Sequence, residues 1–262
     1  MFHLTVLGSG SAGNCSLLET PTTRLLIDAG LSAKRIGDRL AGVGVTPEQI
    51  DGILLTHEHS DHAAGISVWS RRYGTPVYAN RLTAEALSKS TEGVQWRFFV
   101  TGGEFSLGEI RVQSFPISHD AAEPVGFVLH HQEIGVGFLT DLGFATRLVL
   151  ERVRSVHTLV IETNHDEKLL QDDTRRPWSV KQRIFSRHGH LSNAAAAEVL
   201  AGMVSGNLCR AVLGHLSGDC NSPELAVSTV RSRLAQSGGE RIEVVCATQH
   251  EPTPRMRIGG IG

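Results

Sequence analysis

Between residues 56 and 62 the chain reads THEHSDH, and no other stretch narrows its possible folds as far. A short apolar run from Ile53 to Thr56 leads into it, as a buried strand does before it runs out into a loop. His57 and His59 are two apart and project to one side of an extended chain. Asp61 and His62 lie past a bend and can face elsewhere. Three imidazoles and a carboxylate suit Zn²⁺ or Mn²⁺, with iron a third candidate. So short a loop does not wrap all four around one ion, so the pattern predicts two divalent metals. A lone histidine here would be ordinary polar surface; four ligand types in this order are not.

Composition bounds the rest. The 262 residues, 40% of them apolar, suffice for a sizeable core. A formal charge of −2 provides no general field for a polyanion, so any nucleic-acid binding must come from a local patch. One block supplies a candidate. Residues 174 to 191 contain Arg175, Arg176, Lys181, Arg183 and Arg187 and no acid; the competing reading is a solvated helix face. Trp178, Val180, Ile184 and Phe185 in the same block read as core. Cys15, Cys209, Cys220 and Cys246 have neither CxxC spacing nor disulfide-scaffold density, so reduced thiols are expected. The chain opens directly on a strand-like run and nowhere approaches a spanning apolar stretch, which points to the cytoplasm and no membrane contact.

Near the N-terminus, GSGSAG at residues 8 to 13 matches a dinucleotide-binding fingerprint, with Asp28 about where a ribose-binding acid would lie. That fingerprint needs a helix to open at its third glycine, yet Pro21 arrives too soon. Strand, glycine turn, strand, turn, strand is the better reading. Further along, Ser32 caps a helix carrying Ile36, Leu40 and Val43, and TPEQ at 46 to 49 is a capping-box pattern. Helices are predicted over 65–73 and 83–90, a β-rich stretch over 96–141, helices over 146–154, 177–187, 192–204 and 222–236, and strands over 158–162, 210–214 and 242–246. His130 and His131 fall on a hairpin as plain surface. Both halves mix strands and helices. Two such sheets face to face with helices outside give an α/β fold, a four-layer αββα sandwich. One domain over residues 1–250 and a loose tail over 251–262 are expected.

HxHxDH after an apolar strand resembles the signature of the metallo-β-lactamase superfamily, which implies more ligands at later strand ends. His119 in SHD is then offered to the first metal, Asp141 in GFLTD as the bridging carboxylate and His215 in LGHLS to the second. Asp28 resembles the acid that supports the metal loop from behind. The later blocks GHLSN (189–193), IETNHD (161–166) and LGHLSGDCNSPELA (213–226) resemble the YycJ/WalJ group, bacterial metal-dependent nucleases. That likeness implies 5′-to-3′ exonuclease action on DNA, single-stranded or with a free end, and a link to DNA repair. GHLSN also resembles the HST block of ribonuclease Z, which makes His190 a candidate phosphate contact or general acid, with His165 and Ser192 weaker candidates for substrate contact. Residues 142 to 214 leave no room for the extra domain of β-CASP nucleases, and no segment resembles the tRNA-gripping arm of ribonuclease Z.

The expectation is therefore a binuclear phosphodiesterase. Asp141 bridges the ions, which hold His57, His59, Asp61, His62, His119 and His215; Asp61 also orients the attacking water, and His190 serves the leaving side. A small thioester or lactam hydrolase would share all seven ligands, and a non-catalytic metal-binding module is the rival from another class. The first leaves GHLSN and the basic block unexplained, and the complete ligand set argues against the second. The oligomeric state and the native metal have no signature in the sequence.

Overall fold

The structure, a computed structural model, describes residues 1–260. Its elements in chain order are β1 (His3–Gly8), β2 (Cys15–Glu19), β3 (Arg24–Ile27), α1 (Ala33–Gly42), β4 (Gly52–Leu54), α2 (Ser60–Ala63), α3 (Ile66–Tyr73), β5 (Val77–Ala79), α4 (Arg81–Ala86) and β6 (Trp96–Phe98). There follow β7 (Glu104–Leu107), β8 (Ile110–Pro116), β9 (Val125–His131), β10 (Ile134–Leu139), α5 (Arg147–Val153), β11 (Thr158–Glu162), α6 (Glu167–Asp172), α7 (Trp178–Phe185), α8 (Asn193–Ala201), β12 (Arg210–Gly214), α9 (Pro223–Ala235), β13 (Glu243–Cys246) and β14 (Met256–Arg257). Two seven-stranded sheets result, ordered β14-β1-β2-β3-β4-β5-β6 and β13-β12-β11-β10-β9-β8-β7.

Strand alternation builds the layers. Val136 and Phe138 of β10, Val160 of β11 and Val212 of β12 join Leu4, Leu18, Leu25 and Leu54 of the first sheet in one buried cluster between the sheets. Their neighbours Leu139, Leu159, Ile161 and Leu213 point the other way, onto α5, α8 and α9. On the first sheet Leu17, Leu26 and Ile53 face outward onto Ile36, Leu40, Ile66 and Trp69 of α1 and α3. Every strand near the middle is apolar on both faces because both faces are covered, which is the αββα sandwich.

Strand direction then sets where a site can form. Strands β3 to β6 are parallel, as are β10 to β13, and β8 runs with β10 because each is antiparallel to β9. The C-terminal ends of β3 and β4 in one sheet, and of β8, β10, β11 and β12 in the other, therefore each collect on a single edge. All the chemistry lies there.

Three expectations need correction. Residues 251 to 260 are not a loose tail: β14 pairs antiparallel with β1 (His3 with Arg257, Leu4 with Met256), and Met256 and Ile258 enter the core between the sheets. Thr253 N donates to Val6 O, and its Oγ1 accepts from Val6 N at 2.9 Å. Only residues 261 and 262 lie outside the described part. The helix expected over 83–90 runs from Arg81 to Ala86, started by the Asn80 side chain accepting from Thr83 N, and the residues after it are turns. Lastly, Trp178, Val180 and Phe185 are exposed rather than core. Of the eight residues of α7 only Lys181 is buried, so the helix lies on the surface and buries no apolar face.

Candidate metal centre

The seven residues expected as ligands arrive from four loops. His57, His59, Asp61 and His62 follow β4, His119 follows β8, Asp141 follows β10 and His215 follows β12. His57, His59 and His119 bring ligand atoms within 4.8 Å of one another, and so do Asp61, His62, Asp141 and His215. Asp141 stands between the two sets, its Oδ2 2.7 Å from His62 Nε2 and its Oδ1 3.9 Å from His119 Nε2. The loop carrying Asp61 is pinned from the glycine turn: Asn14 N donates to Asp61 O at 2.7 Å, and the Asn14 amide lies 3.3 Å from Asp61 Oδ2. Gly30 is needed there, since a Cβ on it would lie 1.6 Å from Asp61 O.

One buried carboxylate orients two of the rings. Asp28 Oδ2 is 2.7 Å from His62 Nδ1, which places a proton on Nδ1 and leaves Nε2 bare toward Asp141. Thr56 Oγ1 donates to Asp28 and stands 3.0 Å from His57 Nδ1, so it accepts from that ring and leaves His57 Nε2 bare as well. His119 Nδ1 likewise faces the Gly189 carbonyl at 3.2 Å. Hydrogen-bonded partners behind ligand imidazoles are the usual means of fixing them for a metal. The bared atoms have nowhere else to go. His57 Nε2, Asp141 Oδ2 and His215 Nδ1 are buried without an aligned hydrogen-bond partner, a costly arrangement unless an ion satisfies them. Burial holds the His57 pKa well below its ordinary value, whereas at His62 the carboxylates of Asp141 and Asp28 outweigh burial and raise it. The backbone is strained at the same places: Asp28, Asp141 and His215 have φ of 60°, 55° and 53°, left-handed values uncommon without glycine.

Glu162, at the end of β11, has no counterpart among the residues singled out in the sequence. It is fully buried. Its Oε2 accepts from Leu142 N at 2.9 Å and Leu191 N at 3.1 Å, which anchors the loops carrying Asp141 and His190. Its Oε1 lies 2.6 Å from His190 Nδ1 and 3.1 Å from His215 Nδ1. Burial would raise the Glu162 pKa, but the charge and hydrogen bond of His190, with His215 close by, hold it down to about 2. Conversely, Glu162 overcomes burial to raise His190. The signal was a charged residue ending an otherwise apolar strand, LVIE, whose solvation only a site could supply.

Residues 23–215 match the Beta-lactamase superfamily domain. The chain belongs to this superfamily. It is 39% identical over 241 residues to the exodeoxyribonuclease WalJ of Streptococcus pneumoniae, covering 90% of this chain and 89% of the relative. It is 36% identical over 260 residues to the exodeoxyribonuclease YycJ of Bacillus anthracis, covering 97% and 96%. Among solved structures, the metallo-β-lactamase fold protein YhfI from Bacillus subtilis superposes with a TM-score of 0.74 at 17% identity, covering 97% of this chain and all of that one. Fold and clusters together make this a divalent-metal-binding chain of the superfamily.

Over the clusters lies a cleft of about 360 Å³ lined by His59, Asp61, His165, Arg176, Arg183 and His190, among others. His165 is 1% exposed, and burial lowers its pKa. The other residues expected to touch substrate mostly have other partners. Ser192 caps α8, accepting from Ala195 N, and donates to Glu167 Oε1 at 2.8 Å. Lys181 is buried, its Nζ on the Gln171 carbonyl at 2.7 Å. Arg175 and Arg176 both pair with Asp173 and with Asp219. Arg183 is 2.5 Å from Asp120. The basic block is acid-free only along the chain; folding brings carboxylates to it from elsewhere. Of the block's four arginines, Arg187 alone keeps no carboxylate among the described residues, and it lies over the Phe144 ring, 4.4 Å from its centroid.

Proposed function

We propose that this superfamily member is a metal-dependent exodeoxyribonuclease that shortens DNA from a free 5′ end, with two divalent ions, zinc or manganese, in the clusters. The observation that carries the reading is likeness over nearly the whole chain to relatives named exodeoxyribonucleases. His57, His59 and His119 would hold one ion, Asp61, His62 and His215 the other, and Asp141 both. Such ions, when bound, acidify water at neutral pH and neutralise charge on phosphate oxygens.

The chain's own residues supply the rest. Asp61 stands 3.3 Å from His215 and reaches the cleft, where its free lone pairs orient the attacking water. His190 keeps Nδ1 on Glu162 and so turns Nε2 to the cleft wall, aimed at the leaving oxygen. Glu162 raises the His190 pKa against the effect of burial, which favours the protonated ring a general acid needs.

The experiment is digestion of single-stranded DNA, labelled at either end, by metal-stripped protein reloaded with zinc or manganese. Early release of a 5′-labelled mononucleotide with gradual shortening of the 3′-labelled strand is expected. Intact DNA alongside rapid hydrolysis of a nitrophenyl thioester would assign the site to small esters instead.

A further inference from the structure

Helix α7 carries aromatic side chains that nothing in the chain covers. Trp178 is 61% exposed and Phe185 42%. They are seven residues apart and therefore lie within roughly 20° of one line along the helix, about 10 Å from each other. The helix forms the rim of the metal cleft. Arg183 and Ile184 line that cleft, and the Phe185 ring stands edge-on to His165, another lining residue, at a centroid distance of 5.4 Å. Phe144, three residues past Asp141, is exposed under the guanidinium of Arg187, two residues beyond α7's Phe185. Among the described residues four Phe, Tyr or Trp side chains are exposed: Trp178 and Phe185 on α7, Phe144 in the loop after Asp141, and Phe98 on β6 at the far edge of the first sheet.

We infer that the rim formed by Trp178, Phe185, Phe144 and Arg187 is a base-stacking platform for a single strand of nucleic acid running into the metal cleft. The inference rests on the nuclease reading above and names the form of its substrate. A single strand presents base faces and phosphates in alternation, and the rim presents aromatic rings and guanidinium groups in the same way. A duplex hides its base faces and leaves the rings without partners. A second copy of this chain is the competing occupant, and the oligomeric state of parent and variant separates it from a nucleic-acid strand. The span from Trp178 to Phe185 matches about three stacked bases at 3.4 Å each.

The test compares the metal-loaded protein with the Trp178→Ala/Phe185→Ala double variant on a twelve-residue oligothymidylate and on bis(nitrophenyl) phosphate, which has no bases to stack. The expected result is a KM for the oligonucleotide raised about five- to a hundredfold, an unchanged rate on the small diester, and recovery in Trp178→Tyr. Quenching of tryptophan emission by the oligonucleotide should vanish in Trp178→Phe, since Trp69 is buried and Trp96 half-buried. An unchanged KM on DNA that both proteins degrade would overturn the platform alone, as would a parent dimer that dissociates in the variant. An equal loss on both substrates would also overturn it, by placing the effect in the fold. No cleavage of DNA by the parent would remove the nuclease reading and the platform with it.

Discussion

Replacing Glu162 by Gln isolates what its carboxylate does beyond holding the fold. The glutamine carbonyl can still accept from Leu142 N and Leu191 N, so the loops carrying Asp141 and His190 stay anchored. What changes is the other atom. Where Oε1 lay 2.6 Å from His190 Nδ1, an NH₂ group now faces an N–H, and the ring must give up that proton or turn away. A hydrogen bond to a charged group contributes about 1.5–3 kcal/mol, and about 1.4 kcal/mol is a tenfold change, so the protonated, oriented ring is disfavoured by roughly 10- to 150-fold. That factor should appear in kcat on DNA, whose alkoxide leaving group needs a proton. It should nearly disappear on bis(nitrophenyl) phosphate, whose nitrophenolate leaves without one. Metal content by elemental analysis and the melting temperature should stay at the parent values. An equal fall on both substrates would refute the reasoning. So would loss of metal, which would mean that Glu162 acts through His215.

Other consequences are equally concrete. Asp61→Ala and Asp141→Ala should each lower DNA hydrolysis by several orders of magnitude with the fold retained, and parent protein should retain about two divalent ions per chain; near-parental rates in either variant would end the two-metal assignment. Because Arg176 is tied to Asp173 and Asp219 whereas Arg187 has no carboxylate, Arg187→Gln should reduce the salt slope of single-strand binding by ~0.7, and Arg176→Gln should lower the melting temperature and leave the slope alone. The reverse pattern would restore the whole basic block as a phosphate surface. Ile258→Ala should cost about 2–5 kcal/mol in urea unfolding, as for a core isoleucine; a cost below about 0.5 kcal/mol would make the C-terminal segment the tail that composition suggests.

Legibility followed the range of the interactions involved. His57, His59, Asp61 and His62 come from one loop, and the superfamily resemblance pointed to His119, Asp141 and His215, each of which follows an apolar run. The strands at 158–162 and 210–214 were readable because both faces are buried and the runs are unbroken. β14 was not. Two residues between Pro254 and Gly259 carry no periodicity, and the strand exists only because β1, more than 250 positions earlier, offers its edge. The basic block failed in the same way, since the sequence window around Arg176 and Arg183 excludes Asp219 and Asp120, the acids that fold against them.

Glu162 shows what that difference means for function. A window centred on it contains a good parallel strand, and propensity treats the final glutamate as the strand's exit into solvent. In the fold the strand ends inside the protein, between β10 and β12, where the loops after all three strands meet. A carboxylate there has no water, and two backbone amides and two imidazoles take its place. The same edge that gathers the candidate metal ligands thus gathers the group that holds His190, because parallel neighbours end together. The cluster's protonation and its geometry are consequences of one topological fact, and a substitution at Glu162 tests the two separately.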